Sequence, residues 1–364
     1  MKKKAMRHRW GVILILFCFI TACDRNRESA GNKPGMDASG TIQPAIVTAA
    51  VRSDSDDPAI WVNPANPEKS LVIGTDKHDP GALYVFDLEG NILEDKVVHN
   101  LRRPNNVDVE YGFLLDGRPV DIAVATERLM HRIRIFSLPD MTPVDNGGIE
   151  VFVGEPAGEF RETMGIALYK RPGDGAVFAV VGRKNGPGTG YLWQYRLSDD
   201  GSGHVKAELV RKFGTFCGTG EIEAIAVDDA LGYIYYSDEM AGIRKYHADP
   251  DLGDEQLALF GVKDFTEDRE GISIFAEAGG DGFIIVSDQQ ANSFNIYNRR
   301  GPADNPHAHT LLKKVKVAAV ESDGSEVCPI ALNDTFRHGL FMAMSDNRTF
   351  HYYRWEDIAG DLMK

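Results

Sequence analysis

Six times along this chain a strand-like apolar run opens on a polar or otherwise unusual residue. The openings are Asp57-Pro-Ala-Ile-Trp, Asn106-Val-Asp-Val-Glu, Met164-Gly-Ile-Ala-Leu, Glu223-Ala-Ile-Ala-Val, Glu270-Gly-Ile-Ser-Ile and Cys328-Pro-Ile-Ala-Leu, at intervals of 49, 58, 59, 47 and 58 residues. Each is followed by a second run ending in a polar tripeptide: Thr75-Asp-Lys, Thr126-Glu-Arg, Gly182-Arg-Lys, Ser237-Asp-Glu, Ser287-Asp-Gln and Ser345-Asp-Asn. A third, aromatic and alternating run comes next, as in Leu83-Tyr-Val-Phe and Phe294-Asn-Ile-Tyr. Alternation and enrichment in Val, Ile, Tyr, Phe and Trp favour strands. A period near fifty residues with several strands per unit is that of a propeller blade, so an all-β, six-bladed β-propeller is predicted.

Asp116-Gly117 and Asp174-Gly175 supply hairpin turns. A fourth strand per blade is fainter, over residues 92–101, 204–213 and 309–317. The sixth repeat stops soon after its third strand, whereas Ala45–Val51 is an apolar stretch with no blade of its own. It is predicted to supply the outer strand of the last blade and so remove an open sheet edge. A β-sandwich would leave the sixfold period unexplained, and the repeats leave no room for a second domain. Residues 45–364 are therefore read as one propeller domain.

Lys2, Lys3, Lys4, Arg7 and Arg9 precede an apolar stretch, Gly11–Ile20, and then Thr21-Ala22-Cys23. The three-part layout of residues 1–22 is that of a signal peptide, too short to span a bilayer comfortably. Its end resembles a bacterial lipobox, which implies cleavage before Cys23 and lipid on that thiol; an ordinary secretory signal is the plainer alternative. An exported lipoprotein is expected, on the periplasmic side of a membrane or at the cell surface, held only by its lipid. Asp24 can favour inner-membrane retention in such lipoproteins. Residues 23–44, rich in Gly, Ser, Asn and charge, read as a flexible tether.

The full chain carries a net charge of −14, and loss of the basic leader makes it more acidic still. Such a chain repels nucleic acid and anionic membrane surfaces, and a monomer is expected. An anionic substrate would need a local basic patch or bound cations. After processing, Cys217 and Cys328 remain in a compartment that permits disulfides. Both fall near blade openings, but in non-neighbouring blades, so a bond and two separate thiols are both open.

In a propeller the first strands line the axis, and the second strand returns to the rim where the first began. Openings and tripeptides therefore share one face. The last tripeptide positions give Lys77, Arg128 and Lys184 in blades one to three, against Glu239, Gln289 and Asn347 in blades four to six. Asp56, Asp57, Glu223, Asp268 and Glu270 join from the openings. Any one polar strand end is ordinary; sorting by sign at an equivalent position is not. Converging carboxylates need a positive partner. Acid-dense oxygen clusters suit Ca²⁺, and the basic trio suits phosphate.

The chain resembles the β-propeller phytases, calcium-dependent bacterial phosphatases of myo-inositol hexakisphosphate. The likeness runs over essentially all of residues 45–360. It is carried by Asp54-Ser-Asp-Asp-Pro-Ala-Ile-Trp, Asn105-Asn-Val-Asp, Asp121-Ile-Ala-Val-Ala-Thr-Glu-Arg, Glu223 with Val227-Asp-Asp, Asp238-Glu239, Asp268-Arg-Glu-Gly and Ser287-Asp-Gln. The resemblance implies that Asp56, Asp57, Glu223, Glu239, Asp268, Glu270 and Gln289 hold or surround several Ca²⁺ ions. It implies that Lys77, Arg128 and Lys184 bind substrate phosphates, and that Glu223, Glu270 and Asp57 serve metal-assisted attack by water. No covalent intermediate is implied, and the chain has neither a Gly-x-Ser-x-Gly elbow nor a Cys-x₅-Arg loop. Beside Lys77, His78 reads as a solvated loop histidine rather than a donor to substrate.

The likeness departs at two places. The family's Tyr-Gly-Phe opening is here Met164-Gly165-Ile166, which lacks a hydroxyl. Its aspartate-rich segment in blade six is here Ser322-Asp-Gly-Ser-Glu-Val-Cys-Pro329, with Cys328 for the final aspartate. One calcium site should be weakened unless Asp323, Glu326 or Asp346 substitutes, with lower activity, a higher calcium need or a smaller phosphomonoester as the result. Two other readings stand beside this one: a six-bladed lactonase with one axial cation, and a non-catalytic propeller capturing inositol phosphates or a protein.

Overall fold

A computed structural model describes residues 35–363. The leader, Cys23 and most of the tether lie outside the described residues. Among those described, no helix is long and apolar enough to cross a membrane.

Six antiparallel sheets follow one another along the chain. Blade one comprises Ser55–Trp61, Leu71–Asp76, Gly81–Phe86 and Val98–Leu101; blade two comprises Pro104–Leu115, Arg118–Glu127, Arg132–Ser137 and Ile149–Glu150. Blade three has Thr163–Lys170, Val177–Arg183, Thr189–Asp199 and Val205–Thr215; blade four has Ile225–Asp228, Tyr233–Asp238, Gly242–His247 and Ala258–Phe260. Blade five is Arg269–Ala276, Gly282–Asp288, Ser293–Asn298 and Leu311–Lys316. In blade six, Ser325–Cys328, Leu340–Ser345 and Thr349–Arg354 are completed by Ile46–Val47. The first strands touch in order and the sixth touches the first, closing a ring. The expected six-bladed propeller is thus the fold.

The predicted closure is present. Ile46 pairs with Tyr352 and Val47 with His351, and the Thr48 N–H donates to the Phe350 carbonyl at 3.0 Å. Val51, 1 % exposed, drops between blades six and one beside Ile60, Val72 and Phe86. At the predicted turn, Asp116 and Gly117 both adopt positive φ (51° and 70°) between paired Leu115 and Arg118, as a two-residue hairpin demands.

The core is six seams rather than one centre. Every apolar cluster lies between adjacent blades: Phe113, Val124 and Trp193 join blades two and three, while Phe294, Phe341 and Tyr353 join five and six. Each sheet buries both faces, which is why alternation in the sequence weakens toward continuous apolar runs such as Val177-Phe-Ala-Val-Val. A short helix not anticipated from sequence, Trp355–Ala359, follows blade six. Its Trp355 stacks on Phe275 with ring centroids 4.0 Å apart.

Two expectations are corrected. Residues 35–44 are not a free tether: Ile42 is 2 % exposed in the seam of blades five and six, and its N–H donates to the Lys316 carbonyl at 2.9 Å. Cys328 does not open blade six. It pairs with Leu340 at the far end of its strand and is buried among Val51, Ile60 and Leu332, so its thiol has no bearing on the acidic rim. Of the two states left open for the described cysteines, the structure shows separate thiols: Cys217 is exposed and Cys328 buried.

Candidate active site

The recurrent tripeptide has a structural reason at each position. In blades two, four and five its first residue staples neighbouring blades, because a hydroxyl there reaches the backbone of the next blade's opening. Thr126 Oγ1 donates to the Met164 carbonyl (2.7 Å), Ser237 Oγ to that of Glu270 (3.0 Å) and Ser287 Oγ to that of Ser322 (2.7 Å). The middle acid caps the incoming loop, a local satisfaction of backbone donors. Asp76, Glu127, Asp238 and Asp288 accept from the N–H of Asp54, Arg102, Cys217 and Thr266 at 2.7 to 3.0 Å. The third residue is then left to face the mouth.

Strand registers fix which opening residues are equivalent around the ring: Asp56, Asn105, Met164, Glu223, Glu270 and Ser322. The blade-six position had been misplaced in sequence onto Cys328; the residue that actually enters the mouth there is Asp323, one step after Ser322. Close approach of successive strands needs glycine beside this ring. A Cβ on Gly165 would lie 2.0 Å from the Glu223 carbonyl oxygen.

Acids and bases interleave more closely than two opposed arcs would. Glu223, from blade four, is the hub. Its Oε1 lies 3.8 Å from Arg128 Nη2 of blade two and 3.9 Å from Lys77 Nζ of blade one, and it accepts from Asn105 Nδ2. Lys77 Nζ also stands 2.5 Å from Asp56 Oδ1 and 3.4 Å from Asp323 Oδ2. Arg128 donates to Asn105 Oδ1 and abuts the Met164 sulfur, while its buried Nε–H has no acceptor. Lys184 pairs with Glu221. Gln289 Nε2 donates to Asp323 Oδ1, and the Asp268 carboxylate accepts from Gln290 Nε2 at 2.7 Å.

Asp57 sits apart from this group. Its Oδ2 accepts from the Val107 N–H at 3.0 Å, and the side chain lines an axial cavity of about 110 Å³ with Asp108 and Glu326. That space takes several waters but no sugar-sized ring. A substrate would therefore bind at the mouth, with Asp57 beneath it. Glu326 belongs to this axial set and Asp346 is exposed, so Asp323 alone of the three candidates for blade six joins the mouth. His78 is exposed, as expected for a loop histidine.

Burial dominates the protonation of the mouth. It raises Asp56 well above the usual carboxylate range despite Lys77, and raises Glu270 likewise, with Glu223 and Glu239 adding to the effect. Glu239 is pushed up to about 7 by burial and then by Glu223. Glu223 is the exception: burial would raise it, but Lys77 and Arg128 outweigh that and hold it low. Burial and the nearby Arg128 lower Lys184.

Among the described residues no three Asp, Glu, His or Cys side chains already converge as a finished metal pocket. The donor set nevertheless fits a cation. The Asp56 and Asp323 carboxyls face each other, as do those of Glu239 and Glu270, pairs that two anions cannot form unless a proton or cation lies between. Asp56 Oδ2 and Glu270 Oε2 are buried with no donor, orphans of the kind a hard, oxygen-seeking ion would satisfy.

Glu221 escaped the sequence reading, and Asp323 entered it only as one of three possible substitutes in blade six. Asp323 could have been found by counting back from Ser345 instead of forward from Glu270. Asn105 stands in a quoted motif but was given no role, and Glu221 lies outside the repeat.

The fold is a ring of blades with one polar mouth, where buried bases of the kind that suit an anion meet orphaned carboxyl oxygens of the kind that suit a cation. Residues 19–362 match the phytase family, and the chain belongs to that family. It is 30 % identical over 326 residues to the 3-phytase of Bacillus subtilis (strain 168), covering 85 % of this chain and 81 % of that protein. Among solved structures, a luciferin-regenerating enzyme shares the fold alone, at 12 % identity and a TM-score of 0.51, over 85 % of this chain and 95 % of that one. The protein is accordingly a phosphoric monoester hydrolase, which sets aside the lactonase and capture readings.

Proposed function

We propose that the protein removes phosphate from phytate by calcium-dependent hydrolysis at the mouth of the ring. The observation that carries this is the Glu223 hub, where Lys77 and Arg128 converge on a carboxylate surrounded by more acids than these two bases can neutralise. Asp56, Glu223, Glu239, Asp268, Glu270, Gln289 and Asp323 would hold calcium, with Asp57 below. When bound, calcium supplies Lewis acidity toward water and phosphoryl oxygen and neutralises the acids.

The chain's own side chains do the rest. Arg128, held by Asn105, contributes a fixed guanidinium charge toward a phosphoryl group at the mouth. Lys77 contributes a point charge beside it, and Lys184 a second contact farther round the ring. Fixed by the blade frame, these donors need no reorganisation as charge builds on the transferring group. Glu223 keeps Lys77 and Arg128 charged and aligned. Export and lipidation at Cys23 belong to the same proposal, since they would place the mouth where extracellular calcium and phytate meet it.

The test is phosphate release from phytate across calcium concentrations and after chelation. Release should stop with chelator and return with calcium. Undiminished release in chelator would remove calcium from the mechanism; no release at any concentration would remove phytate as substrate.

A further inference from the structure

We propose that Glu221 is a specificity-determining residue that occupies Lys184 and so weakens the contact for a second phosphate of the substrate. This deepens the phytate reading and rests on it. Lys184 Nζ and the Glu221 carboxylate form an ion pair, with side chains 29 % and 25 % exposed. Both partners are fixed from behind. The Glu221 N–H donates to Glu239 Oε2 at 2.7 Å, and its carbonyl accepts from the Glu239 N–H at 3.3 Å. The Lys184 N–H donates to the Glu162 carbonyl at 2.8 Å. Behind it stands Arg183, fully buried, bonded to the carbonyls of Tyr191, Phe160 and Gly190 and paired with Glu155 at 3.1 Å. Where four other blades carry a loop-capping acid, blade three thus carries a clamp of opposite sign.

The pairing differs in kind from those of the other two bases. Lys77 and Arg128 lean on Asp56, Asp323 and Glu223, acids of the candidate calcium set, so a bound cation would compete for those partners. The Glu221 carboxylate is not one of those acids and makes no other ion pair within 4 Å among the described residues; the residue touches the cation set only through its backbone, at Glu239. The neighbouring ring position is Met164, which offers an anion no hydrogen-bond donor. The grip is therefore lopsided: firm for one phosphate at Lys77 and Arg128, weak for a neighbour at Lys184.

The experiment compares wild type with Glu221→Gln in saturating calcium, using phytate and a monophosphate ester, 4-nitrophenyl phosphate. The backbone bracket survives this substitution, and an unchanged melting temperature, within about 2 °C, is expected for loss of one partly exposed pair. KM for phytate should fall about three- to tenfold with kcat little altered, because Lys184 becomes available for a charge-assisted contact. KM for the monoester should stay within about twofold. In a double-mutant cycle, Lys184→Ala should raise the phytate KM more in the Glu221→Gln background than in wild type. Equal falls for both esters, an unchanged phytate KM, or an additive cycle would overturn the proposal. If neither protein hydrolyses phytate, the functional reading falls by itself; Glu221→Gln must then still tighten equilibrium phytate binding over monoester binding, or the role given to Glu221 falls too.

Discussion

Replacing Glu223 with glutamine separates stability from function at this mouth. At an effective dielectric near 20, a charge pair at 3.8 or 3.9 Å is worth about 4 kcal/mol before desolvation, and Glu223 makes two such pairs, to Arg128 and Lys77. Burying that carboxylate offsets much of this gain. Its charge also repels Asp56, Glu239 and Glu270, each of which it drives toward the protonated form. Lys77 keeps Asp56 at 2.5 Å and Asp323 at 3.4 Å in the variant. In chelator the melting temperature should therefore move little, by the equivalent of about 1–2 kcal/mol. Calcium is where the variant should fail. At a hundredfold excess over Kd, a bound ion stabilises the native state by about 2.7 kcal/mol, about 4 °C for a domain of roughly 320 residues. Glu223→Gln should lose more than half of that shift, and phosphate release should fall by about a hundredfold or more. Differential scanning fluorimetry with and without calcium, beside a phosphate-release assay, measures both. A variant that gains as many degrees from calcium as wild type would show that Glu223 is not part of the cation site.

Buried acids outside the mouth predict a pH dependence. Burial raises Asp108 to about 6, Asp229 to about 7 and Glu110 to about 8; because the folded state holds these protons after the unfolded chain has lost them, stability falls as pH rises from about 4 to 8. In chelator the melting temperature should be lower at pH 8 than at pH 5.5, and a rise instead would refute the assignment. Closure of the ring predicts a sharp boundary for truncation: a chain beginning at Arg52 should melt about 10 °C below one beginning at Gly35, since it loses Val51 and the Ile46–Val47 pairing, and should associate through the bared Thr349–Arg354 edge. Equal melting temperatures and a monomeric short chain would place the closure elsewhere.

Much of the architecture is local information. Each blade repeats one pattern because each must bury two sheet faces, cap one loop and staple one neighbour, and these demands leave side chains of fixed type at fixed spacing. The blade number, the Ala45–Val51 closure, the Asp116-Gly117 turn and the mouth positions of Lys77, Arg128, Lys184, Glu223 and Glu239 were legible for that reason. Where the repeat breaks, the reading broke with it. Blade six has a short first strand with no acid at its strict ring position, so the apolar run at Cys328 was mistaken for its opening and Asp323 was passed over. Ile42 is a single apolar residue in a polar stretch, and nothing beside it announces a seam between blades five and six.

Sequence by itself determined most of the residues that reach the mouth, those the repeat carries, because strand period and blade period are set by neighbours along the chain. Only the closed ring decided who meets whom there. Glu223 touches bases from blades one and two, and Asp323 faces Asp56 across the chain's two ends, because closing six sheets into a circle brings together residues that no local spacing relates. Charge pairing depends on separations of a few ångströms, and those are fixed by the diameter of the ring.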